Sequence, residues 1–107
     1  MIEKKFDYTV GKEKTIEKVI LDDNVNINHM ILPKGEGLPE HYSNSNVYMI
    51  VANGTVSLIL NDEERHDYPV GSILNIPFNT KMNVKNNNDE ILELFVVKSP
   101  APHKYQE

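Results

Sequence analysis

The chain contains no cysteine. A disulfide framework, a thiolate metal centre and a cysteine nucleophile are therefore excluded at the outset. Long hydrophobic runs are missing too. The longest, residues 47–52, is far shorter than the roughly 20 apolar residues a helix needs to cross a bilayer. The first ten residues, MIEKKFDYTV, hold no apolar stretch of the secretory type, so a cytoplasmic location is expected. Positive charge is scarce: 11 Lys and Arg stand against 16 Asp and Glu, for a net charge of −5. A nucleic-acid partner wants a basic face and an anionic membrane wants a basic cluster, so neither nucleic acid nor membrane is expected as a partner. Sustained helical periodicity is also absent.

What the chain does have is a series of short β-rich runs separated by turn residues. They are TIEKVIL (15–21), VNINHMIL (25–32), VYMIVA (47–52), TVSLIL (55–60), ERHDY (64–68), SILNIP (72–77), FNTKMNVK (78–85) and EILELFVVK (90–98). Asn53-Gly54 is a strong hairpin signal. Pro33, Pro39, Pro69 and Pro77 fall at run ends or turns, where a missing N–H is tolerated. The pattern predicts one all-β domain over 1–107, an antiparallel sandwich or closed barrel. Its parts are N-terminal strands within 1–24, a core of about 25–98 and a tail, 99–107, without strand pattern. Alternation puts His29 on one face with Val25, Ile27 and Ile31, and Asn26, Asn28, Met30 and Leu32 on the other. The same rule groups Val47, Met49 and Val51 and turns Tyr48 away.

The punctuating residues are regularly spaced. Gly35 is followed after five residues by His41, then by Ser43, Val47 and Gly54. Gly71 is followed after five residues by Pro77, then by Asn79, Met82 and Asn86. This resembles the cupin superfamily, whose first motif reads G-x5-H-x-H-x3-E-x6-G and whose second reads G-x5-P-x-G-x2-H-x3-N. Gly35, His41, Gly54, Gly71, Pro77 and Asn86 stand at motif positions without a gap. The resemblance implies a cupin-type antiparallel β-barrel, also described as a double-stranded β-helix or jelly roll.

The departures fall on the chemistry. The family's usual metal ligands are two histidines and a glutamate from the first motif and a histidine from the second. Carried over by position, these become His41, Ser43, Val47 and Met82. Valine donates nothing, a serine hydroxyl is a poor ligand, and a thioether suits Cu(I) and little else. Met82 reads more simply as packing than as a ligand. No cofactor is expected, although a divalent metal on a replacement set of His41, His29 and Met82 remains an alternative. A ligand pocket is expected to persist, lined by His41, Ser43, Val47, Met49 and Met82, with His41 on its floor. His29 joins it only if its face is the inner one; otherwise it is an ordinary surface or interface histidine. Glu36 and Glu40 flank His41 and could orient its ring.

The expected function is therefore that of a metal-free cupin binding a small molecule such as a sugar or sugar acid. The alternative is a cupin enzyme that uses His41, of isomerase or epimerase type without metal or of dioxygenase type with it. A structural or dimerisation module is a third class. Small cupins commonly pair through N-terminal strands, so KKFDYTV (4–10) and TIEKVIL imply a homodimer, since an unpaired β edge is a liability in a monomer.

Overall fold

A computed structural model describes residues 1–105 of the chain. Nine strands form, eight of them from the alternating runs: β1 (Thr15–Leu21), β2 (Asn26–Leu32), β3 (His41–Tyr42), β4 (Val47–Asn53), β5 (Thr55–Leu60), β6 (His66–Pro69), β7 (Ile73–Ile76), β8 (Lys81–Lys85) and β9 (Leu92–Lys98). A short 3-10 turn, Pro102–Tyr105, follows. The strands form two sheets, one ordered β1-β2-β9-β4-β7 and the other β3-β8-β5-β6, and every pairing is antiparallel.

One side chain in two faces inward because the pleat alternates. Met30 and Leu32 of β2, Val47, Met49 and Val51 of β4, Val56 and Leu58 of β5, and Leu92, Leu94 and Val96 of β9 meet between the sheets. Burying each such side chain contributes about 1.5–3 kcal/mol before entropy is charged against it. Residues opposite each other in antiparallel strands share a face. The inner face of the larger sheet can thus be read across its ladders: Met49 stands opposite Val96, and Val47 opposite Lys98.

The glycine and proline frame has steric causes. Gly54 sits at φ 74°, and a Cβ there would lie 2.4 Å from the carbonyl oxygen of Ile91, so the β4–β5 turn accepts no side chain. Asn79 takes the place of the second-motif glycine and holds φ 62°, a left-handed conformation that asparagine tolerates. Asn86 is fully buried. Its side-chain amide donates to the carbonyls of Leu32 and Glu90, both at 2.8 Å, and so fixes the start of the β8–β9 connection to the end of β2.

One expectation about the elements needs correction, and one strand lies outside the runs. Residues 1–14 form no strand within the protomer, so KKFDYTV is an arm without ladder hydrogen bonds to the sheet. Thr9 anchors it, donating from N and Oγ1 to the Glu17 carboxylate at 2.9 and 3.0 Å. The strand outside the runs is β3, which the run pattern does not reveal. It has two residues, and partner β8 rather than hydrophobic periodicity defines it. Among the described residues no helix is long and apolar enough to cross a membrane.

Candidate functional site

At one end of the sandwich the sheets leave a cavity of about 40 Å³. Its inner wall is apolar, formed by Met30, Leu38, Val47, Met49, Met82 and Val96. Its outer parts are polar: Asn28, His41, Asn44 and Lys98 line it and all keep contact with solvent. Strands β2, β4 and β9 of one sheet supply one side, and β3 with β8 of the other supplies the opposite side.

Five of the six expected pocket residues converge here: His41, Ser43, Val47, Met49 and Met82. His41 and Met82 face each other across the β3–β8 ladder. Their roles differ from expectation. His41 is exposed at the mouth and does not lie on the floor. Its Nδ1 lies 2.8 Å from the carbonyl oxygen of Pro39. A carbonyl can only accept, so Nδ1 carries the hydrogen and Nε2 is left without a partner among the described residues. Neither flanking carboxylate orients the ring, because Glu36 pairs with Lys14 and Glu40 with Lys81.

Ser43 is a tie between the two motifs. Its Oγ donates to the Pro77 carbonyl at 2.6 Å and accepts from the Thr80 N–H at 2.8 Å. Backbone bonds from Ser43 N to Thr80 O and from Asn79 N to Ser43 O complete the clasp. The hydroxyl that replaces a histidine is thus consumed in holding the Pro77–Thr80 turn against β3.

His29 is a correction. It lies on the outer face of the larger sheet, opposite Glu17 of β1 and Phe95 of β9, and does not line the cavity. Its inward neighbours are Asn28 and Met30, which do. The ring is fully buried, with Nδ1 2.7 Å from Glu17 Oε2 and Nε2 2.7 Å from Glu93 Oε2. Tyr8 from the N-terminal arm and Phe95 flank it at ring-centroid distances of 4.7 and 4.8 Å. The alternative ligand set of His29, His41 and Met82 therefore cannot converge on one ion.

The four positions carried over from the family fare no better as a metal set. They offer one imidazole, a hydroxyl already bonded on both sides, a valine and a thioether. A first-row divalent ion wants three or four nitrogen, oxygen or sulfur donors in a fixed geometry. Among the described residues no group of three or more His, Asp or Glu side chains is arranged to hold an ion. The residues present do not fit the metal.

Motif reasoning missed Lys98, and the alternation of β9 could have supplied it. Leu92, Leu94 and Val96 point inward, so the next residue in phase, Lys98, must as well. It is half-buried, and no carboxylate of the described residues pairs with it. Burial holds its amine below the ordinary lysine range, and the like charge of Lys18 adds to the shift.

An antiparallel double-sheet barrel with motif glycines at its turns and a cavity between the sheets defines a small cupin. The comparisons agree. An uncharacterized protein of Methanocaldococcus jannaschii is 48% identical over 105 residues, covering 97% of this chain and 90% of the relative. Its crystal structure is described as that of an RmlC-like cupin family protein with a double-stranded β-helix fold. It superimposes with a TM-score of 0.96 at 46% identity, covering 100% of this chain and 99% of that one. The chain belongs to the RmlC-like cupin family. An RmlC-like cupin from Desulfovibrio desulfuricans (21% identity, TM-score 0.75, 94% and 97% of the two chains) shares the fold alone. So does a cupin 2 conserved barrel domain protein from Salinispora arenicola (14%, TM-score 0.73, 94% and 88%). No family model matches the sequence.

Proposed function

We propose that this cupin is a cytoplasmic binding protein for a small molecule and that it works without a metal. The observation that carries the proposal is the cavity itself. It lies between the sheets with an apolar inner wall and a polar mouth, the combination by which proteins hold small ligands. The volume limits what can enter. About 40 Å³ is room for roughly three water molecules. The enclosed part of the ligand is therefore short, and a sugar ring would rest at the mouth with only a substituent inside. Nε2 of His41, without a partner among the described residues, supplies a hydrogen-bonding position there.

The test is a thermal-shift screen of sugars, sugar acids and small organic acids, with elemental analysis of protein purified without chelator. Stabilisation by a compound whose effect is lost in Met49→Trp, which fills the cavity, supports the reading. Stoichiometric metal in the purified protein, or no compound stabilising it, refutes the reading.

The same reading includes a homodimer, and the outer face of the larger sheet supports it. Ile27, Ile50, Phe95 and Val97 are only partly covered on this face, while Tyr48 and Ile73 are 43% and 67% exposed. A second copy packed on this face would cover the patch. Light scattering at tens of micromolar should give twice the protomer mass, and Ile73→Glu should return it to one.

A further inference from the structure

Val47 stands where the family places its glutamate ligand, and the residue directly opposite it on the same face is Lys98. Both line the cavity. The chain has thus lost the carboxylate next to the site and has a cationic side chain beside the vacated position. A lysine facing a glutamate there would be paired and neutralised. Facing a valine, it is paired with no carboxylate of the described residues. The other polar residues at the mouth, Asn28, Asn44 and His41, bring no carboxylate. Nearby Lys18 adds positive charge rather than cancelling it. A half-buried ammonium without a counter-ion costs free energy in the empty protein, and a ligand can remove that cost by bringing the counter-ion. A carboxylate matches an ammonium by a charge-assisted hydrogen bond, while the apolar wall of Met30, Met49 and Val96 accepts a short hydrocarbon tail.

We propose that Lys98 makes the cavity an anion site, selective for small monocarboxylates whose short apolar tail enters between the sheets and whose carboxylate meets the lysine at the mouth. This rests on the binding reading above and adds to it the charge and class of the ligand. The lowered titration of the amine adds a sign. Carboxylate binding favours the protonated amine, so affinity should fall as pH rises through the amine's depressed range.

The probes are sodium butyrate and butyramide, alike in shape and different in charge, titrated into the whole chain at fixed ionic strength and followed by amide correlation spectra. Butyrate should bind about tenfold more tightly than butyramide, the magnitude expected of one charge-assisted hydrogen bond. The shifted resonances should include those of residues 28, 47, 49 and 98. Lys98→Met should bring butyrate down to the level of butyramide. Lys34→Met, which makes the same charge change at a lysine paired with Asp89, should leave the preference intact. In the parent protein butyrate affinity should weaken on raising the pH while butyramide affinity stays constant. Equal binding of the two probes, or a preference that survives Lys98→Met, overturns the assignment of Lys98 and leaves the binding reading standing. If neither probe nor any compound of the screen shifts the cavity resonances, the binding reading falls and the anion site falls with it.

Discussion

Strands β2 and β9 of the larger sheet carry two polar sites back to back, and they differ in one respect. On the outer face His29 lies between Glu17 and Glu93, so each of its ring nitrogens meets a carboxylate at 2.7 Å. On the inner face Lys98 meets no carboxylate of the described residues. The outer cluster is closed: both ring nitrogens have a partner within the chain, two aromatic rings cover it, and the imidazole is fully buried. The inner site is open, with an unmatched amine above an apolar wall. A polar group that finds its partners within the chain contributes to stability. One that does not is available to a partner from outside, and the chain carries its cost until that partner arrives.

Breaking the closed cluster should produce the largest effect. His29→Ala removes a fully buried ring, leaves Glu17 and Glu93 without their shared partner and opens a void under Tyr8. A loss of about 2–4 kcal/mol is expected, as for other truncations of a buried, hydrogen-bonded side chain. Urea denaturation measures it, and a change under 1 kcal/mol would show that the cluster is not a stabilising element.

Acid should weaken the same cluster from its carboxylate side. Backbone donation from Thr9 first, and then the bond to His29, hold the Glu17 carboxyl below its ordinary value of 4.5. A group with a depressed folded pKa contributes stability that is present above the unfolded value and lost as pH falls through the folded one. Glu17→Gln should thus be less stable than the parent at pH 7, and the two curves should converge as the pH drops well below 4.5. Parallel curves down to pH 3 would remove Glu17 from the account. Because Thr9 is one of its donors, protease sensitivity of the N-terminal arm should rise over the same range.

The open site predicts the opposite sign. Burial lowers the Lys98 pKa, so the folded state disfavours the charged amine, and its cost is present below the folded pKa and relieved as pH rises toward 10.5. Lys98→Met should raise the melting temperature at pH 7, by a smaller amount than His29→Ala lowers it. The gain should shrink in alkaline buffer. A variant less stable than the parent at pH 7 would mean that Lys98 has a stabilising partner after all.

The contrast also shows what the sequence made legible. Alternation and turn residues located eight of the strands, because period 2 and φ > 0 are local properties written into Val47-Met49-Val51 or Asn53-Gly54. The motif frame placed the pocket, since Gly35, Gly54, Gly71 and Asn86 carry steric and hydrogen-bonding requirements that few residues meet. Alternation even set His29 apart from Met30, but which of the two faces was inward depended on the second sheet. The pairing of His29 with Glu93, 64 residues away, has no local trace. Neither has the demotion of Ser43 from ligand position to clasp, since that depends on where the Pro77 carbonyl falls. Lys98 was passed over for another reason: it belongs to no motif, and although the alternation of β9 turns it inward, only the register of β4 against β9 brings it to Val47.

The smallest effect should come from His41, the residue at the heart of the family motif. It lies on a two-residue strand, its ring is exposed, and its one hydrogen bond reaches back two residues to Pro39. Substitutions at exposed positions away from buried networks change stability by about 0.5 kcal/mol or less, so His41→Ala should unfold with the parent in urea. It should also match the parent when either is titrated with Ni²⁺ or Zn²⁺. A single exposed imidazole flanked by a valine, a thioether and a bonded hydroxyl does not make a chelate, and removing it should change metal uptake little. Ligand binding is where the two should part, because Nε2 is a hydrogen-bonding position at the mouth that no described residue uses. If calorimetry instead finds tight, stoichiometric Ni²⁺ or Zn²⁺ uptake by the parent, lost in His41→Ala, then the cavity mouth gathers donors that the sandwich in its present form holds apart. The metal-free reading would then fail at its most exposed residue.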